Sequence, residues 1–304
     1  MTVTVALAIL GPTASGKSAV AMALATHGRG IELVSIDAMQ VYRGMDIGTA
    51  KPTPEERATV RHHLIDLVDA DRTFTVSQFQ RAYRECVADV AARDATAVLV
   101  GGTGLYLRAA IDDLDIPGQW PLVRAELEAI AERDGPRGLH ERLRELDPVA
   151  ATRMEPTNVR RIVRALEVTI GGGRPFSSYG PGVDTYPPSS IRQVALSWDR
   201  GALARRIEAR VHAMVDAGLV DEVRRLLDTG LSATAMQALG YKEIARHLAG
   251  DCSLDAAVAD TILRTRQFAV RQERWFRRDP RIEWVVVHED PVAEVAPRLE
   301  PMLA

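Results

Sequence analysis

Apolar residues along this chain cluster in two ways. Val3–Leu10 (VTVALAIL), Ile31–Ile36 (IELVSI) and Ala95–Val100 (ATAVLV) are short, nearly continuous apolar runs, each stopped by glycine or aspartate. Runs of this length without polar alternation suit strands buried on both faces of a parallel sheet. Between them the period changes. Ser18–Ala25 is rich in Ala, Met and Leu, and Ser77–Arg93 carries Phe79, Tyr83, Cys86, Val87 and Val90 at helical spacing. Strand, helix, strand, helix, strand predicts an α/β fold with helices on both faces of a parallel sheet.

After Asp112 the strand signal stops. Pro121–Asp134, Pro136–Leu146, Pro148–Met154 and Thr157–Ile170 read as helices, and the Gly/Pro/Ser-rich stretch from Gly171 to Ser190 reads as loop. Strand character returns at Ile191–Trp198 and Ile282–Val287, separated by helical Ala202–Asp228, Thr234–Ala249 and Leu254–Arg277. The expected organisation is an α/β core over 1–112 and 187–304, interrupted by a helical insertion over 113–186, with no internal repeats.

Composition refines this outline. Aromatics are 5% of 304 residues, so the core must rest on Ala, Val, Leu and Ile. A net charge of -3 is not that of a globally basic nucleic-acid binder, so any such site must come from local basic faces. Thr157–Ile170 sets Arg160, Arg161 and Arg164 against Glu167, and Asp260–Arg281 sets seven arginines against three acids. Cys86 and Cys252 are too few and too far apart for a zinc site or a disulfide framework. His62 and His63 lack a partner motif and read as structural. Val3–Leu10 is too short for a membrane span and has no basic start, so the expected location is the cytoplasm, with no membrane partner.

The sharpest motif is Gly11-Pro12-Thr13-Ala14-Ser15-Gly16-Lys17-Ser18, a match to G-x-x-x-x-G-K-[ST] between a strand and a helix. Backbone N–H groups of such a loop face an anion, Lys17 adds a full charge, and the Ser18 hydroxyl can hold Mg²⁺. The loop specifies a polyphosphate without saying which. An ATP-using kinase, an NTPase or an enzyme with a diphosphate leaving group all fit, and ATP is the usual ligand of this nucleotide-binding motif. NTPases of this fold end a second strand in a Mg²⁺-holding carboxylate. Ala97–Val100 ends instead in Gly101-Gly102-Thr103, which leaves only Asp37 after the other strand. That weakens the NTPase reading and leaves a small-molecule kinase as the alternative. Asp37 and Thr103 both follow strands, where ligands bind in such sheets.

Further stretches carry a family likeness. GPTASGKS at 11–18, SIDAMQVYRGMDIGTAKP at 35–52, HHLID at 62–66, GGTGLYL at 101–107, RRIVRALEV at 160–168, RIEARV at 206–211, GLVDEV at 218–223, QALGYKE at 237–243 and TRQFAVRQERWFR at 265–277 resemble the tRNA dimethylallyltransferases, in the family's order over nearly the whole chain. The likeness is to the short bacterial form, without the zinc finger that some eukaryotic relatives add. Ala38 departs from the pattern, since the family usually has Ser there. The resemblance implies transfer of a dimethylallyl group from its diphosphate to the N6 amine of the adenine beside the anticodon. Asp37 would be the general base, Thr103 would orient the amine, and Arg210 would join the 11–18 loop on the diphosphate, with Mg²⁺ as cofactor. The expected partners are the tRNA anticodon stem-loop and dimethylallyl diphosphate, and the expected state is a monomer. The tRNA side would be met by Asp37, Ala38, Met39, Gln40, Thr103, Tyr106, Arg124, Arg160, Arg161, Arg164, Gln237, Gly240, Tyr241 and Lys242. Trp275 and Phe276 could stack on a base, although at helical spacing such aromatics are more often core.

Overall fold

The computed structural model describes residues 5–28, 30–180 and 182–303. In chain order the elements are β1 (Val5–Leu10), α1 (Lys17–His27), β2 (Ile31–Ser35), α2 (Pro54–Thr59), β3 (His62–His63), α3 (Val76–Ala91), β4 (Thr96–Gly101) and α4 (Gly104–Ile111). Next come α5 (Pro121–Asp134), α6 (Pro136–Leu146), α7 (Pro148–Thr152) and α8 (Val159–Gly172). The chain ends with β5 (Arg192–Trp198), α9 (Arg200–Asp216), α10 (Leu219–Thr229), α11 (Tyr241–Leu248), α12 (Leu254–Phe276), β6 (Ile282–Val287) and α13 (Pro291–Leu299). Val3 and Thr4 of the first predicted strand lie outside the described residues.

The six strands form one parallel sheet in the order β3-β2-β4-β1-β5-β6. From β1 the chain leaves toward β2, and from the neighbouring β4 it leaves the opposite way toward β5. That reversal opens a crevice at the carboxyl ends of β1 and β4, the place where such sheets bind ligands. Leu10 pairs with Gly101, so the loops that begin at Gly11 and Gly102 lie side by side. The apolar runs are explained by two-sided burial. Leu7, Ile9, Val98, Val100, Val194 and Leu196 pack with Val20, Leu24, Val295 and Leu299 of α1 and α13, while Ala97 and Leu99 point to the other face and are equally buried.

The chain divides into two compact units, Met1–Asp112 with Tyr186–Ala304, and Asp113–Thr185. The second is a helical unit around Leu127, Leu139, Leu143, Met154, Ile162 and Leu166. Two local readings change and further helices appear: of the helix expected over 234–249, only Tyr241–Leu248 is α-helical, after a short 3-10 turn at Ala235–Gln237. Ala202–Asp228 is two helices, because Gly218 at φ 101° adopts a backbone that other residues rarely take and breaks the run. The Gly101–Gly104 turn opens directly into α4, and 291–299 adds a helix with Asp290 as N-cap. His62 and His63 form the short edge strand. His63 Nε2 lies 2.6 Å from Glu32 and His62 Nδ1 lies 2.8 Å from the Val60 carbonyl.

Candidate functional site

The loop from Gly11 to Ser18 is held open from behind. Its carbonyls are bound by donors of the chain itself: Lys17 Nζ reaches Pro12 O at 3.2 Å, Arg206 Nε reaches Ala14 O at 2.9 Å, and Trp198 Nε1 reaches Ser15 O at 2.9 Å. Arg206 also lies over the Trp198 ring, 4.4 Å from its centroid. With these carbonyls occupied, the first-turn N–H groups of α1, which have no intrahelical partner, are left for an anion. Gly16 at φ 90° has no room for a side chain, since a Cβ there would stand 2.4 Å from Pro291. The buried Ser15 Oγ has no hydrogen-bond partner, a polar group of the loop that only a ligand or water can satisfy.

Charge converges on this loop. Burial, reinforced by the Arg210 charge, lowers the Lys17 ammonium to about 8, with Asp37 pulling the other way. Burial likewise lowers Arg210, whose field partners are Asp37 and Arg206. Lys17, Arg210 and Asp37 therefore share one electrostatic neighbourhood, although they come from α1, α9 and the end of β2. An incoming polyanion would relieve the repulsion between the two cations.

Asp37 and Thr103 meet through the backbone. The Asp37 carboxylate accepts from Met39 N–H at 2.9 Å, and Thr103 Oγ1 accepts from Ala38 N–H at 3.1 Å. The departure at Ala38 thus leaves the contact intact, because its amide makes it. Thr103 sits at the N-cap of α4, where its hydroxyl oxygen accepts from Ala38 N–H rather than from the helix, and the hydroxyl keeps its own proton as a donor. Gly101 has no room for a Cβ, which would lie 2.6 Å from Ile36 O. Tyr106 is buried and stacked on Phe79 with centroids 4.0 Å apart, and burial followed by the Tyr42 and Asp37 charges pushes its phenol up.

Several residues expected to face tRNA have internal partners. The Gln40 amide accepts from Ser35 Oγ at 2.8 Å and donates to Thr49 O and Ala50 O at 3.2 and 3.1 Å. Tyr241 is wholly buried, and its hydroxyl donates to Glu222 at 2.5 Å. The same carboxylate accepts from the N–H groups of Asp46, Ile47 and Gly48 at 3.1, 2.8 and 3.2 Å. Gly48 is required there, because a Cβ would meet the Tyr241 ring at 2.4 Å. Lys51, with no exposed side chain, completes the brace on Tyr42 O, Asp46 and Asp66 at 2.7, 2.7 and 2.6 Å. In the 237–242 stretch Gln237 and Lys242 remain exposed, whereas Gly240 is buried at φ 90° as the start of α11.

In the helical unit, Arg160 and Arg161 are exposed. Arg164 is tied down, donating to Pro117 O at 2.9 Å and pairing with buried Glu167 at 3.0 Å. Arg124 pairs with Glu128 at 2.9 Å and lies 3.6 Å from Glu167. Arg124 and Arg164 therefore neutralise a buried carboxylate that also accepts from Trp120 N–H at 2.8 Å. Phe276 is core, and Trp275 lies against Gly104, where a Cβ would come within 2.0 Å of its ring.

Sequence reasoning missed Trp198, Arg206, Glu222 and Gln272. All but Trp198 lie in stretches that carry the family likeness, yet nothing in a single sequence says which carbonyl or amide they reach. For Mg²⁺ the chain offers the exposed Ser18 hydroxyl at the start of α1. Among the described residues no group of three or more His, Cys, Asp or Glu side chains is placed to hold an ion. That donor set suits a hard cation that takes most of its ligands from substrate phosphate and water.

Comparison with known proteins places this geometry. The profile of the IPP transferase family matches residues 40–279. A tRNA dimethylallyltransferase of Thermobifida fusca is 51% identical over 286 residues, 92% of this chain and 89% of the relative. The one from Streptomyces coelicolor is 49% identical over 281 residues, with the same 92% and 89% coverage. The crystal structure of the full-length tRNA isopentenylpyrophosphate transferase from Bacillus halodurans matches with a TM-score of 0.70 at 36% identity, over 99% of this chain and 96% of that one. A eukaryotic dimethylallyltransferase acting on tRNA shares the fold, with a TM-score of 0.79 at 23% identity, over 97% of this chain and 77% of its own. The class is a phosphate-loop α/β fold carrying a helical unit, and its chemistry is group transfer. The chain belongs to the IPP transferase family, that of the tRNA dimethylallyltransferases, which are tRNA-modifying prenyl transferases.

Proposed function

We propose that this chain moves the dimethylallyl group of dimethylallyl diphosphate onto the N6 amine of the adenine adjacent to the anticodon of tRNA, releasing diphosphate. The observation that carries the reading is the convergence of two half-buried cations, Lys17 and Arg210, on a carboxylate, Asp37, beside Thr103. The cations suit a leaving diphosphate, and the carboxylate suits an amine that must lose a proton.

In this reading the allylic C–O bond breaks as the N6–C bond forms. The electron pair leaves with diphosphate, whose growing charge meets the α1 N–H groups, Lys17 and Arg210. The N6 lone pair is delocalised into the adenine ring and nucleophilically weak, so Asp37 accepts its proton as the bond forms, an assistance of about 10²–10⁴-fold. Thr103 accepts from Ala38 N–H and keeps its own proton to orient the base. Mg²⁺ bound at Ser18 would supply further charge neutralisation on the diphosphate. The adenine must leave its stack to reach Asp37, at a cost of a few kcal/mol.

Exposed Arg160, Arg161, Gln237 and Lys242 are the tRNA-facing candidates that remain open. The reading includes a monomer acting in the cytoplasm. No described helix is long and apolar enough to cross a membrane. Incubation with unmodified tRNA, Mg²⁺ and dimethylallyl diphosphate, followed by mass analysis of nucleosides, should yield prenylated adenosine. Asp37→Ala should lose turnover by about 10²-fold or more while keeping most tRNA affinity. Equal loss of both would make Asp37 a binding residue, and ATP-dependent phosphorylation of a small metabolite without prenylation would favour the kinase alternative.

A further inference from the structure

Gln272 lies on α12, far in sequence from both site loops, and is 7% exposed. Its Oε1 accepts from Thr13 N–H at 2.8 Å, and its Nε2 donates to Gly102 O at 2.9 Å. Thr13 belongs to the phosphate loop after β1, and Gly102 precedes Thr103 in the turn after β4. The sheet ladder ends at the Leu10–Gly101 pair, so both loops run beyond it. Among the described residues, Gln272 is the side chain that hydrogen-bonds to both.

The approach is close. A Cβ at Gly102 would lie 2.2 Å from Gln272 Nε2 and 3.3 Å from Gly11 O, so this packing requires glycine. Trp275, on the next turn of α12, presses on Gly104 and holds the other side of the same turn. The bridge also selects its residue type. One end must accept from an N–H and the other must donate to a carbonyl, across the length of one planar group. Glutamine does both, glutamate would set a carboxylate against the Gly102 carbonyl, and methionine fills the space with neither function.

We infer that Gln272 is a positioning residue for the transfer, holding the phosphate loop and the Thr103 turn at the separation that brings the allylic carbon to the adenine amine. This rests on the proposed function, in which the donor sits in the first loop and the acceptor at the second. Gln272 is buried with both ends of its amide engaged by backbone, so its loss should misplace two bound partners rather than unbind them. A misplacement of about 1 Å in such a geometry costs about 10²-fold in rate.

The test compares wild type, Gln272→Met and Gln272→Glu by kcat, by KM for tRNA and for dimethylallyl diphosphate, and by folded fraction from circular dichroism. Gln272→Met should lower kcat by about 10–100-fold with both KM values within about threefold of wild type, and Gln272→Glu should be at least as impaired. A folded Gln272→Met enzyme with kcat within threefold of wild type would overturn the inference. So would a kcat loss matched by equal losses in both affinities. Should Gln272→Met fail to fold, Gln272→Glu, which keeps the acceptor for Thr13 N–H, decides by the same criterion. Absence of prenylated adenosine with wild type would remove the underlying reading, whereas active wild type with an unaffected variant removes only the positioning role.

Discussion

Helices α8 and α9 both carry arginines that the sequence marks as functional, and the structure treats them in opposite ways. On α9, Arg210 is half-buried, with its charge set against those of Asp37 and Arg206, and Arg206 is committed to the Ala14 carbonyl and the Trp198 ring. On α8, Arg160 and Arg161 stand in solvent, while Arg164 turns inward to Glu167. Half-buried cations that repel one another are poised for a compact, highly charged ligand. Solvated cations on an open face suit the diffuse charge of a nucleic-acid backbone, where each interaction is weak and screened by salt.

This contrast can be broken experimentally. The largest effect is expected at α9: Arg210→Ala should weaken dimethylallyl diphosphate binding by at least about tenfold and lower kcat/KM further, as removal of a cation facing a polyanion in a desolvated site does. Calorimetric titration with the diphosphate checks this, and an unchanged affinity would remove Arg210 from the site. Next comes pH. Lys17 is protonated below its value of about 8 and loses its charge above it, so kcat/KM for the donor should fall by up to about tenfold per unit as pH rises above 8. A profile flat to pH 9 would mean that the Lys17 charge contributes nothing to donor capture.

The α8 effects should be smaller. Arg160→Ala with Arg161→Ala should weaken tRNA binding by several-fold and leave donor affinity alone. The slope of log affinity against log salt should become shallower by about one for each phosphate that is no longer neutralised. Filter binding across a salt series reads this directly. The smallest effect on binding is expected from Arg164→Ala, which should leave the salt slope unchanged. It should instead destabilise the helical unit by about 1–3 kcal/mol, because buried Glu167 is deprived of its nearest cation. Thermal unfolding with the salt series distinguishes it from its exposed neighbours on the same helix.

Much of the proposed site lies in stretches whose local structure was legible before any coordinates. The 11–18 loop is contiguous, so its strand, turn and helix appear in one stretch of sequence. Asp37 and Thr103 follow apolar runs whose strand character is local. The internal bonds of Tyr241 and Gln40 are not legible in the distinctive stretches that hold them, because their partners lie on other segments. Glu222, with Tyr241, makes the point: 218–223 and 237–243 hold the 46–48 turn from behind. The split at Gly218 was missed because the apolar period runs through it almost unbroken.

Sequence alone determined five of the six strands, the phosphate loop, the charge of Lys17 and the reactive group types at Asp37 and Thr103, because each follows from neighbouring residues and the periodicity of the backbone. Only the tertiary structure decided which arginines face solvent, which carbonyls of the loop are tied back, and that Gln272 joins two loops from 170 or more residues away. Those outcomes depend on strand order and on burial, and burial is a property of all the elements packed together.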